Sequence, residues 1–298
     1  MNTREKILFL IKPKNIMLYL VRHKPLCYLL TDKLAIKIMF RLKMGEKLNL
    51  NEPKTFNEKV QWLKLYGYKE AYDKLVDKIE VRKYVKEKIG KEYLIPLIGI
   101  WNNFSEIDFD NLPSAFVLKG AQNGVYVCKN KANFDKKRVS VLFRKYSEYN
   151  FFYLGREPVY KNIRNRLICE RYMKNDETGT LVDYKFFCAN GVVKAMFVAT
   201  DRGAGTTKFD FYDAEFNHLD FVQHYPNAQH HCNKPKNFEK MKVLSQKLSN
   251  GIPFVRVDLY EINGKVYFGE MTFYHFSGFE KFEPAFWDSK FGEMIKIK

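Results

Sequence analysis

The chain has 298 residues, 46% hydrophobic and 16% aromatic, which supplies apolar material for a sizeable core and excludes an intrinsically disordered protein. Its formal charge of +17 suits a polyanion or an anionic membrane surface as a neighbour. Five cysteines, Cys27, Cys128, Cys169, Cys188 and Cys232, are scattered singly without a CxxC, a pattern of a reducing, cytoplasmic compartment rather than a disulfide scaffold.

Residues 1–50 form a basic, apolar-rich segment with eleven Lys+Arg against three acids. Its start, MNTREKILFLIKPKNIMLYLV, is interrupted by Lys12, Pro13 and Lys14 and falls short of the ~20 apolar residues a membrane-spanning helix needs. No A-x-A-like site follows, which argues against a signal peptide. Two readings stand: a surface resting on the inner face of an anionic membrane, or a packed helix pair with a solvated lysine face.

Residues 51–110 read as a helical region. TFNEKVQWLKLY opens with Thr55 and has Glu58 three residues on, the spacing at which each side chain bonds the other's backbone N–H. DKIEVRKYVKEKIG repeats the logic with Asp77 and Glu80, and Gly90 can end that helix. YLIPLIGIW leads into strands, and FVLKGAQNGVYVCK (116–129) reads as strand, glycine loop, strand. A helix over 136–150 follows, then strands in 165–173 and 182–200 with a turn at Asn190-Gly191, a helix over 235–250, and a last hairpin, FVRVDLYEINGKVYFGEMTFY (254–274).

That hairpin carries Arg256, Asp258 and Glu270 on otherwise apolar strands. Buried charge needs a partner, a metal or water, and strand side chains alternate faces with period two. A two-residue Asn263-Gly264 turn would set Asp258 opposite Gly269 and turn Glu270 to the other face. A three-residue Ile262-Asn263-Gly264 loop would set Arg256 opposite Glu270 and gather Arg256, Asp258, Glu270 and Thr272 on one polar face. The polar pattern favours the second, and two carboxylates on one face can share Mg²⁺. The competing reading is an Arg256–Glu270 surface salt bridge with Asp258 in water.

Lys119, leaving a strand beside Gly120 and Gly124, can cradle phosphate, or can be a solvated lysine next to an ordinary turn. Glu170, and Asp183 with Lys185, are nucleoside contacts or the polar face of an edge strand. His218, His224, His230 and His231 beside Cys232 fit no common zinc spacing, so a polar surface loop is expected there. The acids of IDFD (107–110) match a short DxD pattern that chance supplies often.

Together, strand-Lys119, the glycine hairpin, Glu170, Asp183-x-Lys185, Arg256-x-Asp258 and Glu270-x-Thr272 resemble the ATP-grasp superfamily of ligases. NEPKTFNEKVQWLKLY, YLGREPVYKNI, DYKFFCANG and SGFEKF resemble its branch associated with teichuronopeptide and other surface-polysaccharide synthesis. The resemblance implies an α+β ATP-grasp fold, with two subdomains clasping ATP after a basic helical N-terminal extension. It places a lid subdomain at 111–168 and a metal-binding subdomain at 169–298. It implies that Lys119, Gly120 and Gly124 hold phosphates, Glu170 and Asp183 the nucleoside, and Asp258, Glu270 and Thr272 Mg²⁺, with Arg256, Lys185 and Arg202 near the transferring group. Two features depart from the family: the loop has few glycines, and Thr272 stands where the metal-binding Asn is usual.

The expected reaction joins an amino acid or small amine to an acidic sugar, through an acyl phosphate, during capsule or surface-glycan synthesis. The alternatives are a glycosyltransferase or phosphotransferase of the same process, and a non-catalytic polyanion- or membrane-binding protein. No nucleic-acid motif is visible, so no specific nucleic-acid partner is expected.

Overall fold

The computed structural model of the chain describes residues 12–23, 25–148, 150–176, 179, 181–201 and 205–297. The chain divides into two compact units, Met1–Tyr68 with Asn150–Lys161 and Tyr274–Lys298, and Lys69–Tyr149 with Asn162–Phe273.

The first unit is helical. Helices Pro13–Arg22 and Asp32–Met44 bury Leu18, Val21, Ala35, Ile36, Met39 and Phe40 against Phe279, so the basic segment does build a packed helix pair. Thr31 caps the second helix by accepting from Leu34 N, and Gly45 ends it at φ +87°. Ile16, Met17, Tyr19 and Leu20 stay exposed on the first helix. Among the described residues no helix is long and apolar enough to cross a membrane. Helix Phe56–Tyr66 begins with the expected reciprocal cap between Thr55 and Glu58. Its Phe56 packs edge-on against Phe282 and against Phe291 of helix Phe286–Glu293.

The second unit carries strands β1 (Leu97–Trp101), β2 (Phe116–Gly120), β3 (Val125–Cys128), β4 (Leu167–Arg171), β5 (Asp183–Ala189), β6 (Val192–Thr200), β7 (Lys208–Asp213), β8 (His218–Leu219), β9 (Val255–Ile262) and β10 (Lys265–Thr272). They form two antiparallel sheets, ordered β1-β4-β2-β3 and β10-β9-β5-β6-β7-β8. In the four-stranded sheet Phe116, Leu118 and Cys169 point to a core shared with Val139 and Phe143 of helix Lys136–Ser147, while Lys119 and Glu170 lie on the other face by alternation. Ile107 and Phe109 anchor the IDFD stretch in that same core, and Asp108 accepts from Asp110 N and Asn111 Nδ2, so this acid closes a local turn.

β5 is buried along its whole length between β6 and β9. Phe197, Phe209 and Phe211 pack beside it, and helix Phe238–Ser249 buries Phe238, Met241, Leu244 and Leu248. The strands at 208–213 and 218–219 and the helix at 286–293 go beyond the elements expected from sequence.

Candidate active site

The closing hairpin corrects the expected register. Asn263 (φ +50°) and Gly264 (φ +73°) are both left-handed, the signature of a two-residue turn, and Lys265 pairs with Ile262. Continued without interruption, that register would send Glu270 to the wrong face. A β-bulge between Phe268 and Glu270 prevents this: Gly269 is an extra, unpaired residue, after which Glu270 lies opposite Asp258 and Thr272 opposite Arg256. The shared polar face therefore exists, but it is made by the bulge and not by a three-residue loop. A Cβ on Gly269 would stand 3.0 Å from the Asp258 carbonyl oxygen, a crowding that glycine avoids.

β5 extends this face by pairing Lys185 with Asp258, so Lys185, Asp258 and Glu270 form one row across three strands. Asp258 is 1% exposed. Its Oδ1 accepts from Arg256 Nε at 2.7 Å and its Oδ2 from Arg256 NH2 at 2.7 Å and from Lys185 Nζ. Burial alone would raise this carboxyl; the charges of Arg256 and Lys185 outweigh it and hold the group below the ordinary carboxylate value. Arg256 NH2 also reaches Thr272 Oγ1 at 3.0 Å and Glu270 Oε1 at 3.3 Å. Asp183 is buried with its Oδ2 3.8 Å from Lys185 Nζ.

This donor set fits a hard divalent cation. Glu270, with its side chain 44% exposed and a long contact to Arg256, has oxygen to offer; Asp258 is next to it across the strands, and Thr272 adds a hydroxyl. All are oxygen donors, as Mg²⁺ prefers. Asp258 would share its carboxylate between the cation and the Arg256–Lys185 pair.

The four-stranded sheet contributes a second charged group. Lys119 Nζ lies 2.6 Å from Glu170 Oε2, and Arg82 NH1 lies 2.7 Å from Glu170 Oε1. Lys78 Nζ donates to Gln122 O at 3.0 Å, and Lys78 N donates to Ala121 O at 3.2 Å. Burial pushes the Lys78 ammonium below its usual pKa, with the charge of Glu270 opposing the shift and that of Lys119 adding to it. Arg166 NH2 bonds Asp77 Oδ2 and Glu80 Oε1, each at 2.9 Å, while Asp77 Oδ1 accepts from Ile79 N and Glu80 N. Lys78, Arg82 and Arg166 escaped the sequence reading. Their only local signal is that Lys78 and Arg82 are four residues apart, the spacing of one helix face.

Within the loop, Gly120 N donates to Gly124 O at 3.0 Å and Ala121 N to Arg166 O at 2.9 Å, so these two N–H groups are already used inside the fold. Gly124 takes φ +89° and has the Tyr146 ring where a side chain would stand. A cavity of ≈ 380 Å³ opens on the helix side of the loop, between Gln122, Asn123, Ser140, Arg144 and Asn165; Lys119, Glu170, Asp258 and Glu270 do not line it. Arg202 lies outside the described residues.

No curated protein sequence matches the chain. Among solved structures it is similar to D-alanine-D-alanine ligase from Helicobacter pylori, with 16% identity over 81% of this chain and 69% of that one, TM-score 0.40. L-amino acid ligase from Bacillus licheniformis gives 11% identity over 83% and 55%, TM-score 0.42. N5-carboxyaminoimidazole synthase from Aspergillus clavatus gives 12% over 70% and 46%, TM-score 0.38, so this chain spans less than half the length of that enzyme. The profile of the TupA-like ATPgrasp family matches residues 58–296. With that match covering most of its length, the chain belongs to the TupA-like ATP-grasp family.

Proposed function

We propose that the chain is an ATP-dependent carboxylate–amine ligase that joins an amino acid or small amine to an acidic sugar during capsular or cell-surface polysaccharide synthesis. The observation that carries this reading is the row Lys185–Asp258–Glu270, flanked by Arg256 and Thr272, in a chain of the TupA-like ATP-grasp family. The glycan acceptor rests on the family resemblance.

In this reaction an acceptor carboxylate oxygen bonds to the γ-phosphorus of ATP as the bond to ADP breaks. The amine then displaces phosphate from the acyl carbon and gives up a proton, leaving an amide. The first step brings two anions together, so the site must be cationic. In this reading Lys119, paired with Glu170, and Lys78 would meet phosphates, and Arg256 and Lys185, which neutralise Asp258, would lie near the transferring group. What a divalent cation supplies, when held beside Glu270 and Asp258, is neutralisation of phosphate charge. Acyl phosphates hydrolyse in water, and the loop at 119–125 is the segment proposed to close over the nucleotide.

The protein is proposed to work in the cytoplasm at the inner face of an anionic membrane, supported by exposed Ile16, Met17, Tyr19 and Leu20 on a helix within the basic segment.

ADP formation by wild type and Glu270→Ala tests the reading. The variant should remain folded, because Glu270 is half exposed, and should lose ADP formation. Full activity in a folded Glu270→Ala protein would refute the metal-site assignment; nucleotide-sugar turnover in its place would favour a glycosyltransferase.

A further inference from the structure

The histidine-rich stretch expected to be a surface loop is brought by the fold against a buried carboxylate. Asp210 is on β7 and His218 on β8, and the chain returns to place His231 against them. Val198 pairs with Asp210 and Phe197 with Phe211, while Lys185 pairs with Phe197. By alternation, Asp210 therefore lies on the face of the sheet opposite Lys185 and Asp258.

His231 Nδ1 is 3.0 Å and His218 Nε2 3.9 Å from Asp210 Oδ1, and the two imidazoles stack with centroids 3.7 Å apart. One donor atom from each of the three residues lies within 4.8 Å of the others. Asp210 is 1% exposed and its Oδ1 also accepts from Ala228 N at 3.1 Å, yet among the described residues its Oδ2 is buried without a hydrogen-bond partner, and so is His218 Nε2. Burying two such atoms unpaired is unfavourable, and such groups are normally satisfied. A single cation between them satisfies both.

We propose that Asp210, His218 and His231 bind a Zn²⁺-class transition-metal ion through one carboxylate oxygen and one nitrogen of each imidazole, at a site separate from the Mg²⁺ site of the hairpin. Two imidazoles select this class over Mg²⁺, which favours oxygen. His231, 45% exposed, leaves a further coordination position open to water. On the face turned away from Lys185 and Asp258, the ion would act as a clamp, tying the segment around His231 to the β7–β8 edge. Cys232 is not needed as a ligand, since its Sγ stands 3.5 Å from the Tyr212 hydroxyl.

Tag-free, full-length protein stripped with a chelator and titrated with Zn²⁺ and Co²⁺ in excess Mg²⁺ tests the proposal. It should take up one equivalent of Zn²⁺ per chain and give a Co²⁺ visible band. His231→Ala, at an exposed position, should stay folded by circular dichroism and bind more than about 100-fold more weakly, since outer-shell partners alone are worth about 10–100-fold. Asp210→Asn should also weaken binding, and Glu270→Gln should bind Zn²⁺ as wild type does. Failure of wild type to take up stoichiometric Zn²⁺, or uptake unchanged in folded His231→Ala, would overturn it. Either outcome is independent of ligase activity, which Glu270 reports.

Discussion

Glu270 stands opposite Asp258 in the closing hairpin because Gly269 is carried as an unpaired extra residue in its strand. Without that bulge the Asn263-Gly264 turn would put Gly269 opposite Asp258, and the two carboxylates would face opposite ways. The shared polar face therefore depends on a residue with no side chain.

Replacing Gly269 with Val should disturb both fold and site. A Cβ there meets the Asp258 carbonyl oxygen and the Tyr260 ring, each at 3.0 Å. Overpacking of this kind costs about 1–3 kcal/mol. Urea denaturation should show a loss in that range, and ADP formation should fall together with it; unchanged stability and activity would mean that the bulge tolerates a side chain.

Lys185→Ala should destabilise the second unit. Lys185 and Arg256 jointly neutralise buried Asp258, and removing one partner of a buried ion pair costs about 3–5 kcal/mol. Because Arg256 remains, the loss should fall near the lower end. Equilibrium unfolding measures it, and no loss would show that Asp258 is satisfied by Arg256 alone.

Asp258 also sets an acid limit. Its folded pKa is depressed, so as pH falls the unfolded chain takes up the proton first. Its contribution is complete above the unfolded value of about 4 and is lost as pH drops through the folded value. Wild-type unfolding midpoints should fall steeply below pH 4. Asp258→Asn should be less stable at pH 7 but show a shallower acid limb, and equal slopes would remove Asp258 as the cause.

Binding to anionic vesicles should depend on the first helix. Changing Lys12 and Lys14 to Glu should weaken partitioning by roughly fivefold or more for each charge removed, from about 1 kcal/mol per basic residue near the surface. Co-sedimentation with phosphatidylserine-containing and neutral vesicles reads this out; equal binding to both would rule out electrostatic attachment.

Local features were legible in the sequence. Thr55 and Glu58 form the cap their spacing announced, the glycine loop joins two paired strands, and Asn190-Gly191 joins β5 to β6. The hairpin's common face was legible from its polar pattern, but its register was not, because nothing local distinguishes a bulged Gly269 from an ordinary strand residue. Nothing local marks Lys78 or Arg82 as site residues, and only tertiary structure brings Arg82 to Glu170, 88 residues away. Likewise His218 and His231 have no zinc-like spacing, and their third partner, Asp210, joins them through the pairing of β7 with β8.

A crystal structure with Mg²⁺ and a non-hydrolysable ATP analogue tests the central claim most directly. It should show metal density bridging Glu270 and Asp258, phosphates beside Lys119, and the adenine near Glu170. Nucleotide bound away from these residues, or metal that leaves Glu270 and Asp258 untouched, would contradict the account.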